Sequence, residues 1–167
     1  MMVLLSGVSG CGKTTIGDLL ARKLGWPFID GDSLHPAANI AKMRAGIPLT
    51  DEDRWPWLEA VAAAADEHIA AGQSAVMACS ALKRSYRDLL LTGRPSARMV
   101  FLDVPHDLLT ARLAARHGHF FRADLLDSQF ADLEHPQPAE QVVVISAVGP
   151  AEQVAEQIIS RLRLQAA

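Results

Sequence analysis

Residues 7 to 15, GVSGCGKTT, join two segments of different periodicity. Before them, MVLLS (2–6) is a short, unbroken apolar run of the kind that forms a strand buried on both faces. After them, TTIGDLLARKL carries a helical pattern. A strand that passes through a tight glycine-rich turn into a helix is the first half of a βα unit. This commits the chain to layered α/β architecture more firmly than any other stretch does.

The rest of the chain repeats the alternation. Candidate strands fall at 2–6, 27–30, 74–79, 98–103 and 141–146, and candidate helices at 13–24, 33–45, 55–71, 83–92, 105–116, 124–133 and 150–164. In the alanine-rich segment EAVAAAADEHIAAG, Leu58, Val61, Ala62, Ala65 and Ile69 recur at helical spacing, and Gly72 supplies a stop. Pro150 opens the last helix, with Val154, Ile158 and Leu162 on one face. Strands separated by helices predict a parallel sheet covered on both faces. The 167 residues suffice for one domain with a core, and no repeat or low-complexity linker divides them.

Composition narrows the function. The formal net charge of −3 lacks the basic excess of a nucleic-acid binder. No apolar run approaches the roughly 20 residues of a membrane span, and the N-terminus lacks the pattern of a secretion signal. Cys11 and Cys79 are too few for a disulfide framework and lack metal-ligand spacing. The expectation is a cytoplasmic protein with neither nucleic-acid nor membrane partner.

Gly7, Val8, Ser9, Gly10, Cys11, Gly12, Lys13 and Thr14 satisfy G-x-x-x-x-G-K-[ST] in full, and Thr15 follows. The glycines let backbone N–H groups turn toward phosphate oxygens, and the following helix directs its positive end at the same place. Lys13 can reach the β- and γ-phosphates of a nucleoside triphosphate, and the Thr14 hydroxyl can hold Mg²⁺. A switch GTPase would also need N-K-x-D and D-x-x-G. The only asparagine, Asn39, precedes isoleucine, and no aspartate has glycine three residues on. A small-molecule or nucleotide kinase is the better class.

The acceptor side of such a kinase is read from the second strand, which ends FIDGDSLHP. Asp30 and Asp32 lie at a strand's carboxyl end, where open parallel sheets bind ligands. One carboxylate there can accept the acceptor hydroxyl's proton, and another can stand near Mg²⁺. His35, Arg54, Lys83 and Arg87 offer cations and donors for an anionic substrate, and Arg suits a carboxylate bidentately. Which of them takes a carboxylate stays open. Arg112 and Arg116 lie four apart on one helical face and could reach ATP, one at the adenine and one at the phosphates. Asp103, ending MVFLD, weighs less than Asp30 because it can simply cap the helix that follows.

GVSGCGKTT, FIDGDSLHP, GIPLTDEDRWPWL, ACSALKRSYRD and RHGHFFRADLLDSQFADLE together resemble the bacterial-type gluconokinase family, from residue 3 to about residue 135. The resemblance implies a three-layer P-loop kinase fold with a five-stranded parallel sheet in the order 2-3-1-4-5 and a small lid at about 117–130. It implies transfer of the ATP γ-phosphoryl group to the 6-hydroxyl of D-gluconate, and a homodimer. Carried over, residues 7–15 hold ATP, Thr14 and Asp30 the metal, and Asp32 serves as base; Arg112 lies on adenine and Arg116 on phosphate. Cys11 stands where the family commonly has serine. Two alternatives stay open: a kinase for shikimate or another hydroxy acid, and a non-catalytic ATP-binding regulator, against which the intact Asp-Gly-Asp argues.

Overall fold

A computed structural model describes residues 1–117 and 123–166, with the side chains of 116, 117 and 123–125 outside the description. The described residues form a parallel five-stranded sheet in the order β2-β3-β1-β4-β5. The strands are β1 (Met2–Ser6), β2 (Phe28–Asp30), β3 (Ala75–Ala78), β4 (Ala97–Asp103) and β5 (Val142–Ser146). The helices are α1 (Lys13–Leu24), α2 (Ala37–Arg44), α3 (Asp51–Ala70), α4 (Arg84–Leu91), α5 (His106–His117), α6 (Ala123–Asp132) and α7 (Ala151–Leu162).

The central strand shows why both faces are covered. Alternate residues of a strand point to opposite faces. Val3 and Leu5 join Ile16 and Leu20 of α1, Leu109 of α5 and Ile158 of α7 in one core. Met2 and Leu4 join Leu58 and Val61 of α3 and Leu90 of α4 in the other. All four strand residues are at most 1 % exposed, so the unbroken apolar run records a strand with no wet face.

Two predicted boundaries change. The helix predicted over 33–45 is instead a 3₁₀ turn, Gly31–Leu34, followed by α2. Pro36 is the cause: it pushes the residue before it out of helical geometry, and His35 is extended at φ −62°, ψ 136°. The helix predicted from 55 begins at Asp51, where Thr50 and Asp53 form a reciprocal capping box. Gly31 explains how β2 ends so close to its neighbour. A Cβ there would lie 2.3 Å from the Ala78 carbonyl oxygen, so no other residue fits without moving one strand.

Candidate active site

The residues at the carboxyl ends of β1, β2 and β3 converge on one cleft of about 270 Å³. The loop 7–12 after β1 leads into α1 through Gly12, whose φ of 105° lies in the left-handed region that glycine occupies without strain. The Lys13 ammonium donates to the Gly7 and Val8 carbonyls, at 2.9 and 3.1 Å. The Ser9 N–H donates to Gln129 Oε1 of α6 at 2.7 Å. Cys11 points into the core and is fully buried. Its thiol therefore bears on packing and not on the loop's N–H groups.

Asp32 lines the same cleft as Ser9 and Lys13. Asp30 does not. Its Oδ1 accepts from the Asp32 N–H at 3.1 Å, capping the 3₁₀ turn that carries Asp32. His35 and Arg54 also line the cleft, together with Trp57, Ser80, Tyr86, Ser128 and Gln129. Met43, Ile47, Pro48 and Leu49, from the end of α2 and the loop beyond it, give an apolar wall.

The cationic side is organised by acidic partners. Arg54 Nη1 donates to Asp132 at 2.8 Å and to the Tyr86 hydroxyl at 3.3 Å, with Asp51 at 3.9 Å. Burial works against its charge, but the bonds to Tyr86 and Asp132 outweigh it and raise the pKa. Lys83 stands beside the cleft with its ammonium on both Asp51 oxygens, at 2.8 and 3.0 Å. That bond, with the Tyr86 hydroxyl that also donates to Asp51, holds the Asp51 carboxyl below its usual range. His35 moves the other way: burial is the larger influence and Arg54 adds to it, so its pKa falls although Asp32 opposes.

Arg87 is a correction. Predicted as a substrate cation, it has a side chain only 1 % exposed and is paired with Glu140 through two bonds of 2.7 and 3.0 Å. Its Nη1 also donates to the Leu82 carbonyl at 2.9 Å. It therefore holds the 80–82 loop from behind. That loop needs holding, because Ala81 has φ 38°, a conformation disfavoured for a residue with a Cβ. Arg112 is also outside the cleft; its guanidinium donates to the Ala147 and Val148 carbonyls at 3.1 and 2.8 Å. The next residue, Leu113, is so close to Gly10 that a Cβ there would lie 2.9 Å from it, so α5 flanks the loop. The Arg116 side chain, and the 118–122 part of the predicted lid, lie outside the described residues.

Sequence reasoning missed Gln129, Ser128 and Tyr86 as cleft residues. Only the place of SQF within the predicted lid, and the nearness of Tyr86 to Lys83, could have pointed to them. Cys79, buried at the back of the site, has its thiol pushed up to about 12, first by burial and then by Asp32. Both cysteines are free and buried, which removes the footing for a redox role. Among the described residues no three His, Cys, Asp or Glu side chains cluster as a metal site. Mg²⁺ takes oxygen ligands; Thr14, beside Lys13 in the first turn of α1, carries one, while Asp30 carries others but spends Oδ1 on the turn that bears Asp32.

A family model for shikimate kinase matches residues 9–163. The chain is 48 % identical over 141 residues to the thermosensitive gluconokinase of Escherichia coli K12, covering 84 % of this chain and 75 % of that one. It is 44 % identical over 163 residues to the gluconokinase of Gluconobacter oxydans 621H, covering 98 % and 92 %. Among solved structures, a gluconokinase from Sinorhizobium meliloti 1021 superposes with a TM-score of 0.87 at 41 % identity, covering 97 % of this chain and 91 % of that one.

Proposed function

This chain belongs to the gluconokinase family, within the shikimate-kinase-like fold, and from that premise we propose that it transfers the γ-phosphoryl group of ATP to the 6-hydroxyl of D-gluconate, giving 6-phospho-D-gluconate and ADP. The observation that carries the reading is one cleft lined both by the phosphate loop and by the acceptor-side residues Asp32, His35 and Arg54.

The division of labour follows from chemistry. The loop 7–15 and Lys13 hold the phosphates and stabilise charge on the transferring group. Asp32 orients the sugar-acid hydroxyl and accepts its proton. Arg54 and His35 meet the oxygens of an anionic polyol, with Lys83 behind them through Asp51. Arg112, beside the 147–148 loop, flanks the nucleotide, with Arg116 one turn on. Thr14 and the Asp30 oxygen would hold Mg²⁺, which when bound neutralises phosphate charge. The lid spans about 117–130. Its described part includes most of α6, which brings Ser128 and Gln129 to the cleft.

A cytoplasmic location fits an ATP-consuming enzyme with two free cysteines. Among the described residues no helix is long and apolar enough to cross a membrane. The homodimer is proposed from the family resemblance and is read by sedimentation velocity. The test of the whole reading is ADP release from purified protein with MgATP and either D-gluconate or shikimate, the product identified by phosphorus NMR. Gluconate-dependent release with a phosphate on the terminal carbon is expected. Turnover with shikimate in preference to gluconate would reassign the acceptor, and none with either would support a regulator.

A further inference from the structure

Asn39, the chain's only asparagine, is 3 % exposed although it lies on a helix whose other residues are largely wet. Its Nδ2 lies 2.8 Å from the Asp53 backbone carbonyl oxygen. A carbonyl only accepts, so the amide orientation is fixed by its partner. The second N–H of the same group faces His35 Nδ1 at 3.2 Å. A ring nitrogen that receives an N–H presents its lone pair, which leaves the imidazole proton on Nε2. The ring cannot easily turn away: it stacks on Trp57 with centroids 4.1 Å apart and planes at 14°. Trp57 is itself held by its Nε1–H on the Gly31 carbonyl at 2.8 Å.

We propose that Asn39 is a positioning residue that keeps His35 neutral, with its proton on Nε2, so that His35 meets the acceptor substrate as a hydrogen-bond donor and not as a base or a cation. A second proton would sit on Nδ1 and face the Asn39 N–H, donor against donor. Asn39 cannot flip to relieve this, because its own carbonyl would then meet that of Asp53. The charged groups around the ring divide: Asp32 favours the imidazolium, while Arg54 and burial oppose it. The Asp53 carboxylate is not among them, being engaged by Lys42 at 2.6 and 2.7 Å. A neutral donor beside Asp32 leaves that carboxylate free to take a proton from the substrate, where an imidazolium would compete for it. The assignment to a sugar-acid acceptor rests on the function proposed above; the tautomer does not.

The test uses the full-length protein labelled with ¹⁵N-histidine, with the His35 signals assigned by their loss in His35→Gln. Long-range ¹⁵N–¹H correlation should show one neutral ring carrying its proton on Nε2, persisting below the ordinary imidazole value of 6.5. Asn39→Asp should move the proton to Nδ1 and make the ring titrate at higher pH. In the same variant the gluconate KM should rise about tenfold, with the ATP KM little changed. His35→Gln, whose amide can still donate, should retain more gluconate affinity than His35→Ala. An Nδ1–H ring or an imidazolium in the wild-type protein at neutral pH overturns the proposal, and so does a wild-type tautomer and pH profile in Asn39→Asp. If the ring behaves as expected but gluconate is not phosphorylated, the function fails and the tautomer stands.

Discussion

Lys13 and Asp32 both line the cleft and are asked for different things. Lys13→Ala removes a cation placed where phosphoryl charge develops, and turnover should fall by about 10²–10³-fold or more while the fold survives. Asp32→Asn keeps size and some hydrogen bonding but removes the base. Turnover should fall by about 10²–10⁴-fold, with nucleotide-analogue affinity changed little. ADP release measured beside analogue titration separates the two; full turnover in Asp32→Asn would pass the proton to another acceptor. At this scale the sequence is readable wherever one residue type does one job locally: glycines that turn, a lysine at the loop's end, an aspartate at a strand end. It is unreadable where a partner decides the job. Arg87 reads as a free cation until Glu140, 53 residues on, takes it. Asn39 reads as nothing until α2 crosses the start of α3.

Elements are tied together by such distant pairs, and the pairs bring their own pH dependence. Arg87 joins α4 to the segment before β5, and it holds the Glu140 carboxyl below its ordinary 4.5, helped by the Gln137 N–H. A carboxylate depressed in the folded state contributes stability above that ordinary value and loses it as pH falls through the folded value. Acid unfolding should therefore begin below about pH 4.5, and Glu140→Gln should flatten that part of the profile. Arg87→Met alone should cost about 3–5 kcal/mol in chemical denaturation, because it strands a buried carboxylate. A much smaller loss would show the pair to be hydrated. The element least readable from sequence is the predicted 33–45 helix, since Pro36 acts on His35 behind it. The α6 segment carries its own expectation. Hydrogen exchange over 117–130 should slow when an ATP analogue and gluconate are both bound, and unchanged rates would count against a lid.

Across the whole molecule, one sheet connects two cores, and the cleft at its carboxyl edge is lined by residues of both, Leu82 from one and Trp57 and Tyr86 from the other. Ligand binding should therefore stabilise the entire fold. With a nucleotide analogue at about 100 times its Kd the gain is about 2.7 kcal/mol, which for a chain of this length raises Tm by roughly 5–10 °C. Scanning calorimetry should show a single transition moving as one, whereas a stationary first transition would mean that the layers unfold separately. The βα alternation makes this architecture legible in the amino-acid sequence, because strands buried on both faces leave unbroken apolar runs. The meeting of α6 with the phosphate loop is not legible there, since no local pattern encodes it. That meeting has a thermodynamic consequence. The Ser9 N–H is already engaged by Gln129, and Lys13 by the Gly7 and Val8 carbonyls. An arriving phosphate thus enters as a competitor, trading bond for bond with the chain's own atoms. Its net heat should be modest for so charged a ligand, and the glutamine side chain it displaces regains rotational freedom. Nucleotide affinity here is an exchange constant, set as much by the grip of the chain on itself as by its grip on the ligand.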